Sequence, residues 1–188
     1  MNLPWSTQQL TDQDEQLLVS LYDAHAKSAY RPNASSVAVA NAAASSGEVD
    51  KAIVAGIMTL GGLHAPLRNT YRFLHMENPA SSVAWYIETD EKVPGWGGTF
   101  QKIEPDPLWA SVDVNLHDFH PELYEKICGV TEALHDQGRI IHPNPSAYTV
   151  AVALALKMPE RMAVFLFIQA RLGPWAQIAL SNLDRKEI

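Results

Sequence analysis

Glycine, histidine and proline are concentrated in three short segments of the chain, residues 61–64, 92–98 and 142–146. Apolar residues recur at helical spacing on both sides of each segment, so all three lie between predicted helices, where main-chain and polar groups face a ligand. His64 stands in the first segment, and its ring can donate a hydrogen bond to a carbonyl that gains charge, which favours enolate formation. The alternative is a histidine that satisfies nearby carbonyls at a helix start.

The second segment, Lys-Val-Pro-Gly-Trp-Gly-Gly, lets a ligand approach the main chain because glycine has no Cβ. It lacks the Gly-Lys-Ser/Thr of a phosphate-binding loop and the preceding strand of a dinucleotide fold, so both nucleotide motifs are excluded. An ordinary structural turn is the alternative interpretation.

Two further features, a histidine pair and a lone cysteine, are weak candidates for a metal site and a nucleophile. His117 and His120 stand three residues apart, a spacing that suits zinc on a helix, but Pro121 argues against a continuous helix there and no third ligand follows at a typical interval. No metal site is therefore predicted. Cys128 lies inside an apolar helix pattern and is interpreted as a small packed side chain rather than a nucleophile.

Composition narrows the class of protein. The chain has 188 residues, the size of one domain, with 14 Lys and Arg against 21 Asp and Glu. The basic residues are scattered and the net charge is −7, which argues against nucleic-acid binding. One cysteine excludes an internal disulfide, and the N-terminus has no signal-peptide pattern, so a cytoplasmic protein is predicted.

The elements that must position these residues are helices, because no run of residues alternates as a strand would. The predicted fold class is all-α, as one compact domain over residues 1–188. Caps and breakers set the bounds of its helices. In order, these are a helix capped by Thr11 that ends before Pro32, one from Asn33 to about Ser46, one from Val49 that stops at Gly61, one with Leu67, Tyr71 and Leu74, a short piece from about Ser81 to Glu88, one from Pro121 to Gly138, and two opened by Pro145 and Pro159.

The last of these helices is apolar on nearly every side over residues 162–168. Seven residues are far fewer than the ~20 that cross a bilayer, so no membrane span is predicted. A chain this short has limited interior to cover such a helix, and a second copy is the natural cover, so we expect a homodimer. Gly173 and Pro174 are expected to kink or split the same helix.

Four motifs, in order, resemble those of citrate synthase and its relatives, the citryl-CoA lyases. The resemblance runs from about residue 17 to 180 and matches the second half of a full-length member. The matching stretches are Asn33-Ala34-Ser35-Ser36 with residues 54–64, then residues 92–98 with Asp106-Pro107, then His142-Pro143-Asn144, and last Ala170-Arg171 with Gly173 and Trp175.

The resemblance implies an all-helical fold and chemistry on CoA esters. In the family, an aspartate takes a proton from acetyl-CoA, one histidine stabilises the enolate and a second polarises oxaloacetate. His64 matches the first histidine and is the one catalytic residue carried over. Gly98 stands in place of the second histidine and Ser146 in place of the aspartate, so two of three catalytic side chains are replaced.

The ligand-binding residues are also partly kept. The resemblance implies that Lys92, Pro94, Gly95 and Gly97 bind CoA or acetyl-CoA, with no tightly bound cofactor. Asn33 and Arg171 match substrate-binding residues. Thr99 and Leu108 replace arginines that serve a carboxylate and the CoA phosphates, and Ala65 and Pro66 replace two glycines beside His64.

Three functions fit this pattern. The first is a degenerate member that binds CoA or an acyl-CoA and makes little or no citrate. The second is an active, divergent enzyme that condenses acyl-CoA or cleaves citryl-CoA, with a base recruited from Asp90, Glu91, Glu104 or Asp106. The third is a non-catalytic structural or regulatory dimer, which pairs with itself or with a full-length relative.

Overall fold

Residues 9–31, 33–60, 66–98 and 104–183 are described in the computed structural model of the chain. Over these ranges the fold is built from helices, with no strand beyond isolated bridges, which confirms the predicted all-α class. The helices are α1 (Asp12–Ala29), α2 (Ala34–Ser46), α3 (Val49–Met58), α4 (Leu67–Leu74), α5 (Val83–Glu88), α6 (Ala110–Phe119), α7 (Pro121–Asp136), α8 (Pro145–Ala155) and α9 (Glu160–Leu183), with 3₁₀ turns at Pro79–Ser82 and Pro107–Trp109.

Local capping chemistry sets most of these bounds as predicted. Thr11 and Asp14 form a reciprocal capping box at the start of α1. Asn33 caps α2 by accepting the amide of Ser36, and Gly47 ends the same helix in the left-handed conformation at φ 75°. Gly138 likewise follows α7 at φ 71°.

Two features differ from the sequence prediction. Helix α6 has no counterpart among the predicted helices, because its ten residues have a weak apolar stripe and its start is set one turn earlier, where Asp106 caps the 3₁₀ turn. Helix α9 is not split at Gly173 and Pro174 but runs unbroken through both. Buried Arg171 and Trp175 anchor the helix on either side of the proline, which explains why it continues.

The core has two parts. The larger joins α1, α4 and α6 to α9, and the smaller is a tight cluster between α2, α3 and α9 around the fully buried Trp175. Small residues bring α2 and α3 close together. A Cβ built on Gly56 would lie 2.7 Å from Cγ2 of Val39 and 3.3 Å from the Trp175 ring.

Helix α9 is long and apolar enough to cross a membrane by length and composition, the one such helix in the described part of the chain. Core helices of soluble proteins pass the same test. Here α9 packs against α1, α2, α3, α4 and α8, and 44% of its most apolar window is buried inside the fold. It is positioned as a central core helix.

Two helix-interior glycines provide a matched test of this packing. Alanine is favoured over glycine in a helix by about 1 kcal/mol, so Gly129→Ala in α7, where the nearest neighbouring atom is Cβ of Ala80 at 3.7 Å from the new Cβ, should stabilise the protein by up to that amount. Gly56→Ala places its methyl against Val39 and Trp175 and should destabilise the fold by about 1–3 kcal/mol. Urea unfolding measures both, and a stabilised Gly56→Ala would show that the small cluster is looser than described.

Candidate functional site

The glycine-rich loop and the segment before α8 form one unit. Trp96 and Pro143 pair as an isolated antiparallel bridge. The Gly97 amide donates to the His142 carbonyl at 3.0 Å, and the Asn144 amide donates to the Gly95 carbonyl at 2.9 Å. Two segments that stand more than 40 residues apart in sequence are therefore fixed side by side.

The Asn144 side chain joins the two segments a second time. Its Nδ2 donates to the Gly97 carbonyl at 2.9 Å, while its Oδ1 accepts the Ser146 amide at 2.8 Å and caps α8. Ser146 is buried in the first turn of α8. One amide group thus connects the main chain beside Gly98 to Ser146, the two positions at which the resemblance implies that catalytic side chains are replaced.

The loop conformation requires glycine. Gly95 and Gly97 have φ of +90° and +78°, and a Cβ on Gly95 would lie 2.7 Å from Cγ2 of Thr70 and 3.2 Å from Cβ of Ala147. Gly95 is buried, so its close approach is to α4 and α8. Lys92 is exposed and Pro94 is half-buried, which leaves this end of the loop accessible to a ligand.

The two predicted substrate-binding residues come together in a buried polar cluster with residues of α1. Arg171 is only 4% exposed, and its Nη1 lies 3.5 Å from Oδ1 of Asn33. Its Nη2 donates to the Ser28 hydroxyl at 3.1 Å and its Nε to Nδ1 of His25 at 3.2 Å. All three partners are neutral, and no carboxylate among the described residues pairs with the guanidinium. Burial lowers the pKa of Arg171 to about 10, so it remains a cation at neutral pH.

His25 was not identified from the sequence, yet it is the centre of this polar cluster. The ring is fully buried, with the edges of Trp109 and Phe167 packed at centroid distances of 4.9 and 4.8 Å. Because Nδ1 accepts from Arg171, the proton must be on Nε2, which lies 2.8 Å from the Thr149 hydroxyl. Burial, and then the charge of Arg171, hold the His25 pKa well below its usual range, so the ring is neutral.

Asp106, one of the carboxylates considered as a base, is already engaged. Its Oδ2 pairs with Nη1 of Arg31 at 2.5 Å, and its Oδ1 accepts the Leu108 amide at 3.1 Å. The carboxylate therefore fixes the turn before α6. Asp90, Glu91 and Glu104 are exposed.

Other positions named from the sequence either lie outside the described residues or form no metal or nucleophile site among them. His64, Ala65 and Thr99 lie outside the described residues, so the role predicted for His64 stays a prediction. Within the described ranges, no group of three His, Cys, Asp or Glu side chains could hold a metal ion. Cys128 is half-buried, and burial raises the pKa of its thiol, which suits a packed side chain.

A cavity of about 330 Å³ lies away from the glycine-rich loop, between α7 and the 3₁₀ turn at Pro79–Ser82. Lys126 in its wall donates to the carbonyls of Leu74 and Met76. Its other lining residues are Glu77, Asn78, Pro79, Ala80, Glu122, Glu125 and Gly129.

Comparison with known proteins identifies the fold. No protein-family model matches the sequence, and no curated protein matches it. Among solved structures, citryl-CoA lyase from Hydrogenobacter thermophilus is similar with a TM-score of 0.77 and 18% identity, over 94% of this chain and 72% of the lyase chain. Citrate synthase from Thermotoga maritima is similar with a TM-score of 0.75 and 19% identity, over 92% of this chain and 50% of that chain.

A third similar structure is ATP citrate lyase from Methanothrix soehngenii in complex with citrate and coenzyme A, with a TM-score of 0.77 and 14% identity. It covers 97% of this chain and 33% of the lyase chain. The chain therefore has the citrate synthase-like all-α fold that the motifs predicted. It spans about half the length of the citrate synthase it matches.

The neutral state of His25 predicts a pH dependence of stability. Its pKa in the folded chain lies below the usual 6.5, so the unfolded chain binds the proton more readily. The contribution of the neutral His25 ring to the free energy of unfolding is fully present above pH 6.5. It is lost as the pH falls below that value, by up to about 1.4 kcal/mol per pH unit. Unfolding of the wild type and of His25→Gln between pH 7 and 5 should show a shallower decline for the variant. Exposed His117→Gln is the control, and equal slopes for all three proteins would contradict a neutral buried His25.

Proposed function

We propose that the chain is a cytoplasmic, degenerate relative of citrate synthase that binds CoA or an acyl-CoA and forms little or no citrate. The observation that carries this proposal is the Asn144 amide, which links the main chain beside Gly98 to Ser146. The two segments that resemble the family's catalytic motifs are assembled next to each other, but one position has no side chain and the other has a hydroxyl.

These replacements remove proton-transfer chemistry rather than the binding surface. A serine hydroxyl is not a base near neutral pH, and Gly98 has nothing with which to polarise a carbonyl. A positioned acid or base contributes about 10²–10⁴-fold in rate, so loss of both leaves little turnover. The engagement of Asp106 by Arg31 and Leu108 argues against its recruitment as a substitute base.

Two features support ligand binding. Lys92 and Pro94 remain accessible at one end of the loop, where a CoA phosphate can meet an ammonium group. In the polar cluster around His25, Arg171 offers a cation to a carboxylate, and Asn33 accepts from its Nη1. The solved ATP citrate lyase that shares this fold holds citrate and coenzyme A, which makes these the first ligands to test.

CoA binding should be weak and dependent on Lys92. Leu108 supplies no cation for the phosphates, and a charge-assisted contact of about 1.5–3 kcal/mol is worth roughly tenfold to a hundredfold in affinity, so we expect micromolar binding or weaker. Isothermal titration with CoA and acetyl-CoA should show this binding, reduced severalfold in Lys92→Ala. Lys51→Ala, on α3 and 60% exposed, is the matched control. An absence of heat and of any melting shift at millimolar CoA would contradict the proposal.

Citrate formation should be absent. A thiol-release assay with acetyl-CoA and oxaloacetate should give no signal above background under conditions in which a full-length citrate synthase is active. The physical reason is the lack of a base at Ser146 and of a polarising group at Gly98. Clear turnover that is lost in His64→Ala would instead establish the divergent enzyme.

Self-association is the second property we propose, since α9 leaves large apolar side chains on the surface. Phe165, Leu172 and Leu180 are 44%, 39% and 52% exposed and lie on one side of the helix. Sedimentation equilibrium at tens of micromolar should give a dimer, weakened by Leu180→Glu. A wild-type monomer would contradict the homodimer and leave a full-length relative as the partner to test.

A further inference from the structure

We propose that His25 is a positioning residue that accepts the Nε–H of Arg171 and so leaves the cation un-neutralised for an anionic ligand. The inference rests on the carboxylate site of the proposed function and adds to it the group that sets its charge. Most buried arginines are paired with carboxylates. Here a histidine acceptor takes the place of a carboxylate.

The first step is the count of donors. A guanidinium has five N–H groups, and the described residues accept three of them, at His25, Ser28 and Asn33. The remaining two belong to Nη1 and Nη2, the pair of nitrogens that binds a carboxylate through two parallel hydrogen bonds. Because His25 accepts the Nε–H of Arg171, the edge formed by Nη1 and Nη2 points away from the His25 ring.

The second step is the direction of the hydrogen bonds beyond Arg171. Nε of Arg171 donates to Nδ1 of His25, and Nε2 of His25 then donates to the Thr149 hydroxyl. Thr149 donates in turn to the Pro145 carbonyl at 2.7 Å, in the first turn of α8. Each group donates once along this series, so the histidine has a single tautomer that satisfies both neighbours.

The third step is the surroundings of the ring. Trp109 and Phe167 pack edge-on against His25 and fix its plane. Arg171 is the charged group that acts on it among the described residues, and it opposes protonation of the ring. The imidazole is therefore held in place by apolar walls and remains an acceptor.

A pair of equal-sized substitutions tests the inference. Glutamine at position 25 can accept from Arg171 and donate to Thr149, whereas glutamate accepts from Arg171 and neutralises its charge. With citrate as the probe in isothermal titration, His25→Gln should keep the wild-type affinity within about threefold, and His25→Glu should lose about tenfold or more. Gln137→Glu, at an exposed position after α7, controls for the added negative charge.

A spectroscopic measurement removes the dependence on how the variants fold. In the wild type labelled with ¹⁵N-histidine, His25 should show one protonated nitrogen, Nε2, and one unprotonated nitrogen, Nδ1, whose shift changes when citrate is added. A protonated Nδ1 overturns the inference. So does citrate binding that survives His25→Glu, which leaves the proposed function standing, whereas a wild type that binds no citrate overturns its carboxylate site.

Discussion

A buried guanidinium, with no carboxylate partner in the described part of the chain, is the constraint on which the rest of this structure depends. Removing a cation from water costs several kcal/mol unless other groups replace the lost hydration. Arg171 meets that requirement with neutral acceptors from α1 and from the residue that caps α2. The relative placement of α1, α2, α8 and α9 is therefore defined by polar contacts as well as by the apolar core around them.

The glycine-rich loop is held by a different interaction, in which one amide side chain hydrogen-bonds to the loop and to the start of α8. Asn144 uses its donor toward Gly97 and its acceptor toward Ser146, so both halves of the amide are occupied. This arrangement holds the loop without any residue that transfers protons.

The sequence predicted those parts of the fold that depend on local chemistry. Thr11, Asn33 and Gly47 set helix ends through caps and backbone conformation, which short windows of sequence contain. Helix α6 was missed because its burial depends largely on α1, which lies far away in the chain. The sequence predicted a kink or a split at Pro174, and the helix is not split, because packing on both sides of the proline outweighs the missing hydrogen bond.

The site was predictable to a similar degree. The motifs selected residues 92–98 and 142–146 as separate segments, and the main-chain hydrogen bonds that join them are visible only in the structure. Nothing in the sequence around His25 separates it from an ordinary core histidine, because its role depends on Arg171, 146 residues further along the chain.

That separation has a consequence for biosynthesis. His25 and Ser28 are made early, but the cation that they accept from emerges from the ribosome only with the last helix. Until then the part of α1 that packs on α9 has no cover, and exposed apolar surface favours aggregation of incompletely folded chains. The complete native core can therefore form only after α9 has been translated.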